Sequence, residues 1–171
     1  NASSTVFYTT AAQNAMTGET YGNLTHDGGT LSQEGGGLVV AGLFTNTSGN
    51  FAPDQAITAS GIVWTAGSVT GSPSQTWNID TDGVIINGGT FKGTSGTFTV
   101  AGPWTNAGTF THNGSNVDFD GGSAQTITSG GSPFSSVSIS NTAATVSNAD
   151  AFTFSNGATL TIDASATFAT A

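Results

Sequence analysis

The chain has no cysteine and no arginine, and Lys92 is its one lysine in 171 residues. Without cysteine there is no disulfide framework, no thiol nucleophile and no thiolate metal site. One cation against ten acidic residues leaves a net charge of −9. Nucleic-acid binding, which needs clustered Lys and Arg to neutralise phosphates, is excluded on that balance. An anionic membrane surface is equally unfavourable. No apolar run approaches the ~20 residues of a membrane-spanning helix, so membrane insertion is not expected. Charged residues make up 6% of the chain, against about 25% in an ordinary globular domain. Disorder is a poor description all the same. Disordered chains combine low hydrophobicity with high charge and lack aromatics, whereas this one spaces 11 Phe, 3 Trp and 2 Tyr along its length.

Glycine, at 25 residues, fills much of the chain together with Thr, Ser and Asn. A polar, nearly ion-free surface of this kind is common in secreted bacterial surface proteins. An extracellular or cell-surface location is therefore expected, with Asn1 opening a processed chain. The N-x-S/T sequons at Asn1, Asn23, Asn46 and Asn113 are glycosylation candidates.

The chain also repeats itself. Val40-Ala41-Gly42 followed by Phe44-Thr45-Asn46 returns sixty residues later as Val100-Ala101-Gly102 followed by Trp104-Thr105-Asn106. Apolar residues fall into columns. One runs Leu38/Val40, Ile57, Trp77/Ile79, Phe98/Val100, Val117/Phe119, Val137/Ile139 and Phe152/Phe154, with steps of 19, 20, 21, 19, 20 and 15 residues. A second runs Phe51, Val69, Phe91, Phe110, Ile127, Val146 and Leu160, and a third contains Phe44, Trp64, Ile86 and Trp104. Within each run apolar and polar residues alternate, as in Thr97-Phe98-Thr99-Val100, which is the period of a strand with one buried face. Glycine pairs between the runs supply turns. The segment at residues 10–16, TAAQNAM, is the only helical candidate.

Three short strands per twenty residues describe one coil of a β-solenoid, or parallel β-helix, in which equivalent residues stack at about 4.8 Å. The expectation is all-β: one domain over 1–171, about eight coils of roughly 20 residues, and a rod of roughly 40 Å. Residues 1–20 would form an end strand or first coil used in subunit contact. Trp77, Phe98 and Val117 should form one core ladder, and Phe91, Phe110 and Ile127 another. A β-sandwich also accommodates short strands every 8–12 residues, but columns sharing one period favour the solenoid.

A longer parallel runs from residues 6–26 to residues 117–140, matching Ala12-Gln13 to Ala124-Gln125 and Tyr21 with Leu24 to Phe134 with Val137. The pattern V-x-F, then A-Q, then an aromatic before an apolar strand resembles the Gly/Asn/Thr-rich β-solenoid repeats of large secreted bacterial surface proteins, adhesin-like and autotransporter-like. The resemblance implies structural or adhesive service outside the cell and supplies no catalytic residues.

Asp80 and Asp82, and Asp118 and Asp120, are the candidate chemical groups. Hard cations want several carboxylate or carbonyl oxygens, so each pair is a Ca²⁺ candidate. Paired carboxylates also suit a glycosidase. The simpler reading is solvated Asp at strand ends before the turns at Gly83 and Gly121. A solenoid enzyme that cleaves acidic polysaccharides needs cations for its substrate, and this chain has one. No other cofactor is implied, and no catalytic motif is present. His26 and His112 follow Thr in matching contexts and are expected at turns. The T-x-T units Thr97/Thr99, Thr109/Thr111, Thr126/Thr128 and Thr159/Thr161 raise an ice-binding face, though Thr also simply suits strands. Trp64, Trp77 and Trp104 are expected in the core rather than as carbohydrate platforms.

A solenoid exposes a sheet edge at each end, and soluble monomers blunt such edges with charge, Pro or a cap. Neither the stretch NASSTVFYTT nor ATLTIDASATFATA carries Lys, Glu or Pro. The expectation is therefore a secreted structural protein, not an enzyme, whose partner is itself: a head-to-tail homopolymer forming an extracellular bacterial filament. The alternatives are an adhesin stalk or a module binding glycan or ice. A polysaccharide-cleaving β-helix is the third reading.

Overall fold

A computed structural model of the chain describes residues 4–9, 12–15, 18–33, 35–71 and 73–170. Among these residues there is no helix. The strands are β1 (Thr5–Tyr8), β2 (Gln13–Ala15), β3 (Thr20–Tyr21), β4 (Asn23–Gln33), β5 (Leu38–Ala52) and β6 (Ile57–Trp64). They continue as β7 (Ser68–Val69), β8 (Trp77–Ile86), β9 (Thr90–Lys92), β10 (Thr97–Val100), β11 (Trp104–Asn106) and β12 (Thr109–Thr111). The last are β13 (Asn116–Phe119), β14 (Gln125–Thr128), β15 (Phe134–Ile139), β16 (Thr145–Asn148), β17 (Phe154–Ile162) and β18 (Thr167–Ala169). Gln13–Ala15, inside the one helical candidate, is thus a strand; Thr10, Ala11 and Met16 lie outside the described residues.

All pairings are parallel and join strands about one coil apart, so the chain is a β-solenoid of about eight turns. Each coil presents three faces in turn. On the first, Val6, Leu24, Phe44, Ile62, Val84, Trp104, Ile127 and Asn148 stack as successive rungs. On the second, Leu31, Phe51 and Val69 stack, and Phe91 stacks on Phe110. On the third, Tyr21, Val40, Ala59, Ile79, Val100, Phe119, Ile139 and Ile162 form the ladder. The two Val-Ala-Gly stretches are therefore equivalent corners three coils apart, since Val40 reaches Val100 through Ala59 and Ile79.

Alternation dictates the interior. In β10 and β13 the apolar residues point in and are buried, while the intervening Thr and Asp lie outside. Trp64, Trp77 and Trp104 are fully enclosed, and aromatic rings continue from coil to coil. Trp77 meets Phe98 of the next coil at 5.6 Å, and Trp104 meets Phe110 of its own coil at 4.8 Å, both edge to face. Burying such side chains supplies on the order of 1.5–3 kcal/mol each.

Glycine sets the corners. Between the first and second faces, Gly29, Gly49, Gly67 and Gly89 all adopt positive φ, at 64°, 81°, 84° and 67°. A Cβ on Gly67 would lie 1.8 Å from the Gly49 carbonyl oxygen, so a side chain is barred both by backbone conformation and by the coil below.

Several column assignments need correction, Val146 among them, since it stacks on Gln125 of the first face. Trp77, Phe98 and Val117 do share a ladder, and so do Phe91 and Phe110, but Ile127 stacks on Trp104 of the first face. Trp64 and Ile86 stand two residues along from Phe44 and Trp104, in a neighbouring ladder. Val137 is followed by Leu160, not by Phe152. The Ile127 and Leu160 placements share a cause. After Phe110 the second face has no ladder strand, and Phe134, Phe152 and Phe168 fill its place as a stack of rings 5.2–5.6 Å apart. The longer parallel between residues 6–26 and 117–140 is not a structural equivalence either: Val6 lies on the first face and Val117 on the third.

Candidate functional site

The carboxylates lie along the third face and its corner. Asp80 and Asp120 follow Ile79 and Phe119, which are separated by the one rung at Val100, so the two pairs stand two coils apart, roughly 10 Å. Asp80, Thr81 and Asp82 are all exposed in β8. The strand turns there, which breaks the alternation that would have aimed Asp80 and Asp82 together. Asp82 accepts a hydrogen bond from the Ser60 hydroxyl, and Asp118 accepts one from Ser140. Among the described residues no three His, Cys, Asp or Glu side chains gather where one ion could be held. The carboxylates form a stripe, in which Asp82 and Asp118 accept hydrogen bonds from serines of adjacent coils.

That stripe is electrostatically loaded. Burial raises the Asp118 carboxyl above its ordinary value, the Ser140 hydroxyl pulls it back in part, and the charge of Asp163 adds to the rise. Asp120 is raised by burial and by Asp118, is lowered by its own backbone N–H, and is raised further by Asp80. Among the described residues no cleft opens beside these groups.

The sequons divide. Asn46 is fully buried: its Oδ1 lies 2.6 Å from His26 Nδ1, and its Nδ2 donates to the Ala66 carbonyl at 2.6 Å. It is an interior residue, which corrects the expectation of a glycan acceptor there. Asn23 and Asn113 are half-buried. Asn23 Oδ1 accepts from the Leu43 N–H, and Asn113 Nδ2 donates to the Gly93 carbonyl at 3.1 Å. Asn1 lies outside the described residues. The histidines divide as well. His26 is enclosed in the core rather than placed at a surface turn, whereas His112 is half-buried and its Nδ1 accepts from the Gly114 N–H at 2.9 Å.

The T-x-T units do not form one array. Thr97/Thr99 and Thr159/Thr161 lie on the third face, Thr126/Thr128 on the first, and Thr109/Thr111 on the second. The second face carries its own short polar column outside: Thr30, Asn50, Ser68, Thr90 and Thr109. The three tryptophans have no accessible ring, consistent with core packing.

Sequence reasoning missed the interior polar positions. Asn46 and Asn106 occupy the same place in coils three turns apart, both enclosed just before the first corner. Asn106 Nδ2 donates to the Ser129 carbonyl at 2.8 Å, and its Oδ1 receives the Gly108 N–H at 3.0 Å. Gln125 does similar work at another corner, donating to the Val100 and Gly102 carbonyls and accepting from the Gly121 N–H. These side chains satisfy backbone groups where the coil turns and the ladder cannot. The repeated Phe-Thr-Asn and Trp-Thr-Asn triplets were the available signal.

The ends differ from the walls. Among the described residues six large apolar side chains are exposed, Val6, Phe7, Val39, Leu43, Leu160 and Ile162, and four of them lie on β1 and β17. Phe7 is the most open, at 64%. Among the described residues β1 pairs only with β4, β17 only with β15, and β18 only with β16, so the outer edges of these strands have no partner among the described residues. No described helix is long and apolar enough to cross a membrane. Compared with family models, with curated proteins and with solved structures, the chain finds no match.

Proposed function

We propose that this chain is a secreted, non-catalytic structural protein, the subunit of an extracellular bacterial filament in which β-solenoid rods join head to tail. The observation that carries the reading is the concentration of exposed apolar side chains on β1 and β17, whose outer edges find no partner among the described residues. An open edge of this kind templates pairing with another chain. Because every strand runs parallel, the two ends differ, and a contact between unlike ends propagates rather than closes. The adhesive repeats that the sequence resembles fit the same service outside the cell.

Electron microscopy of the purified chain tests this. Uniform fibres with an axial repeat of roughly 40 Å, set by coil stacking, are expected above a critical concentration. Monodisperse short rods at every concentration overturn it. The short polar column on the second face favours one other reading, a stalk or module that binds ice or glycan. That reading predicts rods that inhibit ice recrystallisation or bind a glycan array.

A further inference from the structure

The first face has an outer column as regular as its inner one. Where Leu24, Phe44, Ile62, Val84, Trp104 and Ile127 point inward, the next residue of each strand points out: Thr25, Thr45, Val63, Ile85, Thr105 and Thr128. All six are β-branched and none is charged. Such side chains are stiff at χ1, so the column is ordered before anything touches it. Phe7 stacks next to Thr25, and exposed Ala149, whose N–H bonds the Ile127 carbonyl, follows Thr128. Phe7 is 64% exposed, and Leu43, one column over beside Thr45, is 37% exposed. This seam runs along the side of the rod, whatever stands above or below the coils.

The other walls carry charge where the seam has none. The third face sets Asp118 in its outer column, between Thr99 and Ser138, and the second sets Lys92 in its own, beside Thr111. Two copies, each of net charge −9, repel one another over most approaches. The seam lets them touch without bringing carboxylates face to face. The carboxylates nearest to it are held by their own rod. Asp27 accepts from the Ser48 hydroxyl at 2.7 Å, Asp82 from that of Ser60, and Asp150 from the N–H groups of Ser129 and Gly130. The order of side chains is also close to palindromic: Val63 and Ile85 hold the centre, with two threonines on either side.

We propose that this seam pairs two copies of the chain side by side, rods antiparallel, about a two-fold axis that passes between Val63 and Ile85. Val63 of each copy then meets Ile85 of the other, Thr45 meets Thr105, and Thr25 meets Thr128. Bulk meets small beyond them, with Phe7 over Ala149; a parallel pairing sets Phe7 against Phe7 and leaves a gap at Ala149. In the adjoining column Leu43 meets Pro103, and the bare backbone of Gly61 meets that of Gly83. An apolar centre inside a hydroxyl rim is the pattern of a protein interface. Rungs from Phe7 to Ala149 at about 4.8 Å, and columns about 7 Å apart, cover about 500 Å² per copy and about 1,000 Å² in total, the lower limit of a specific interface. The pair is therefore a weak one that fills at high concentration. It does not require the filament reading, and it is compatible with single rods and with fibres.

Charge complementation tests both the pairing and its register. Sedimentation of the wild-type chain at rising concentration should show a dimer. Small-angle scattering should show that this dimer keeps the rod length of roughly 40 Å and widens its cross-section, whereas an end-to-end contact lengthens the rod, so side pairing and filament growth are read separately. Val63→Glu alone and Ile85→Lys alone should each weaken the dimer at least about tenfold, because each buries an unpaired charge. An equimolar mixture of the two should restore it through a Glu–Lys contact, and a mixture of Val63→Glu with Val63→Lys should not. Thr45→Glu with Thr105→Lys repeats the test at polar outward positions, where the fold is not at stake. Where fibres form, the same readout is paired fibres in the wild type and single fibres in each variant. A wild-type chain that stays unpaired at about 1 mM, single variants that pair as the wild type does, or rescue by Val63→Lys in place of Ile85→Lys overturns the proposal.

Discussion

Residues 23–119 and residues 125–170 belong to one solenoid but hold their interiors differently. In the first region each coil is walled by strands on all three faces, and ladder residues such as Leu24, Phe44, Trp77 and Phe98 are 0–1% exposed. In the second, the middle face loses its strand after Phe110. The wall is then closed by Phe134, Phe152 and Phe168, with Phe154 turned edge-on to Phe152 at 4.9 Å. β17 carries an irregularity between its Phe154 and Thr159 pairings, and most of its residues are exposed. Backbone ladders thus give a repeat that tolerates little, because every rung is covered above and below. Ring stacking gives a closure that accepts coils of uneven length.

Substitutions can break that contrast. The largest effect is expected from Trp104→Ala. Its side chain is fully enclosed and touches Phe98, Phe110, Phe119 and Phe134, so chemical denaturation should show a loss of about 3–5 kcal/mol. A loss under about 1 kcal/mol would mean that the ladder interior repacks as easily as the ring stack. Next comes a matched pair of glycines. Gly67 and Gly157 have nearly the same φ, 84° and 80°, but a Cβ on Gly67 meets the Gly49 carbonyl, while one on Gly157 meets nothing within 4 Å. Gly157→Ala should cost about 1–2 kcal/mol, the conformational penalty alone. Gly67→Ala should cost clearly more, and equal melting temperatures would remove stacking as the reason for glycine at that corner. Phe168→Ala, at a half-buried ring near the open end, should cost about 1–2 kcal/mol. Its protection loss in hydrogen exchange should stay confined to residues 145–170.

The smallest effect is electrostatic. Asp118 and Asp120 are raised above the ordinary value of 3.8 in the fold. The folded chain therefore binds their protons more tightly than the unfolded one. Their contribution favours folding at low pH and is lost as pH rises from 3.8 through the raised values. Asp120→Asn should stabilise the chain at pH 7 by less than ~1 kcal/mol, given the screening at a partly exposed site, and should flatten the fall of stability across that window. Thermal melts at a series of pH values would show it, and an unchanged slope would remove Asp120 from the stripe's repulsion.

The solenoid itself was legible because strand alternation and the twenty-residue period coincide over the ladder-walled region. Val40 and Val100 could be paired across three coils from sequence alone. Legibility failed where the ladder did. The step of 15 residues from Val137 to Phe152 broke the period, and the structure puts Leu160 there instead, because an apolar residue in a ring stack looks the same in sequence as one on a rung. Ile127 was displaced for the same reason. The carboxylate stripe was legible as residues but not as geometry, since the turn at Thr81 exposes three consecutive side chains. Asn46 was concealed by its own chemistry: a sequon reads as surface, and only the His26 and Ala66 partners reveal it as interior.

Because each coil touches only the coil above and the coil below, the rod is a molecular ruler. Deleting or duplicating one whole coil between equivalent glycine corners, such as residues 50–67, would leave every remaining contact with a like neighbour. It would change the length by one graduation of about 4.8 Å. Length in such a chain is a count, and it can be inherited, lengthened or trimmed as one.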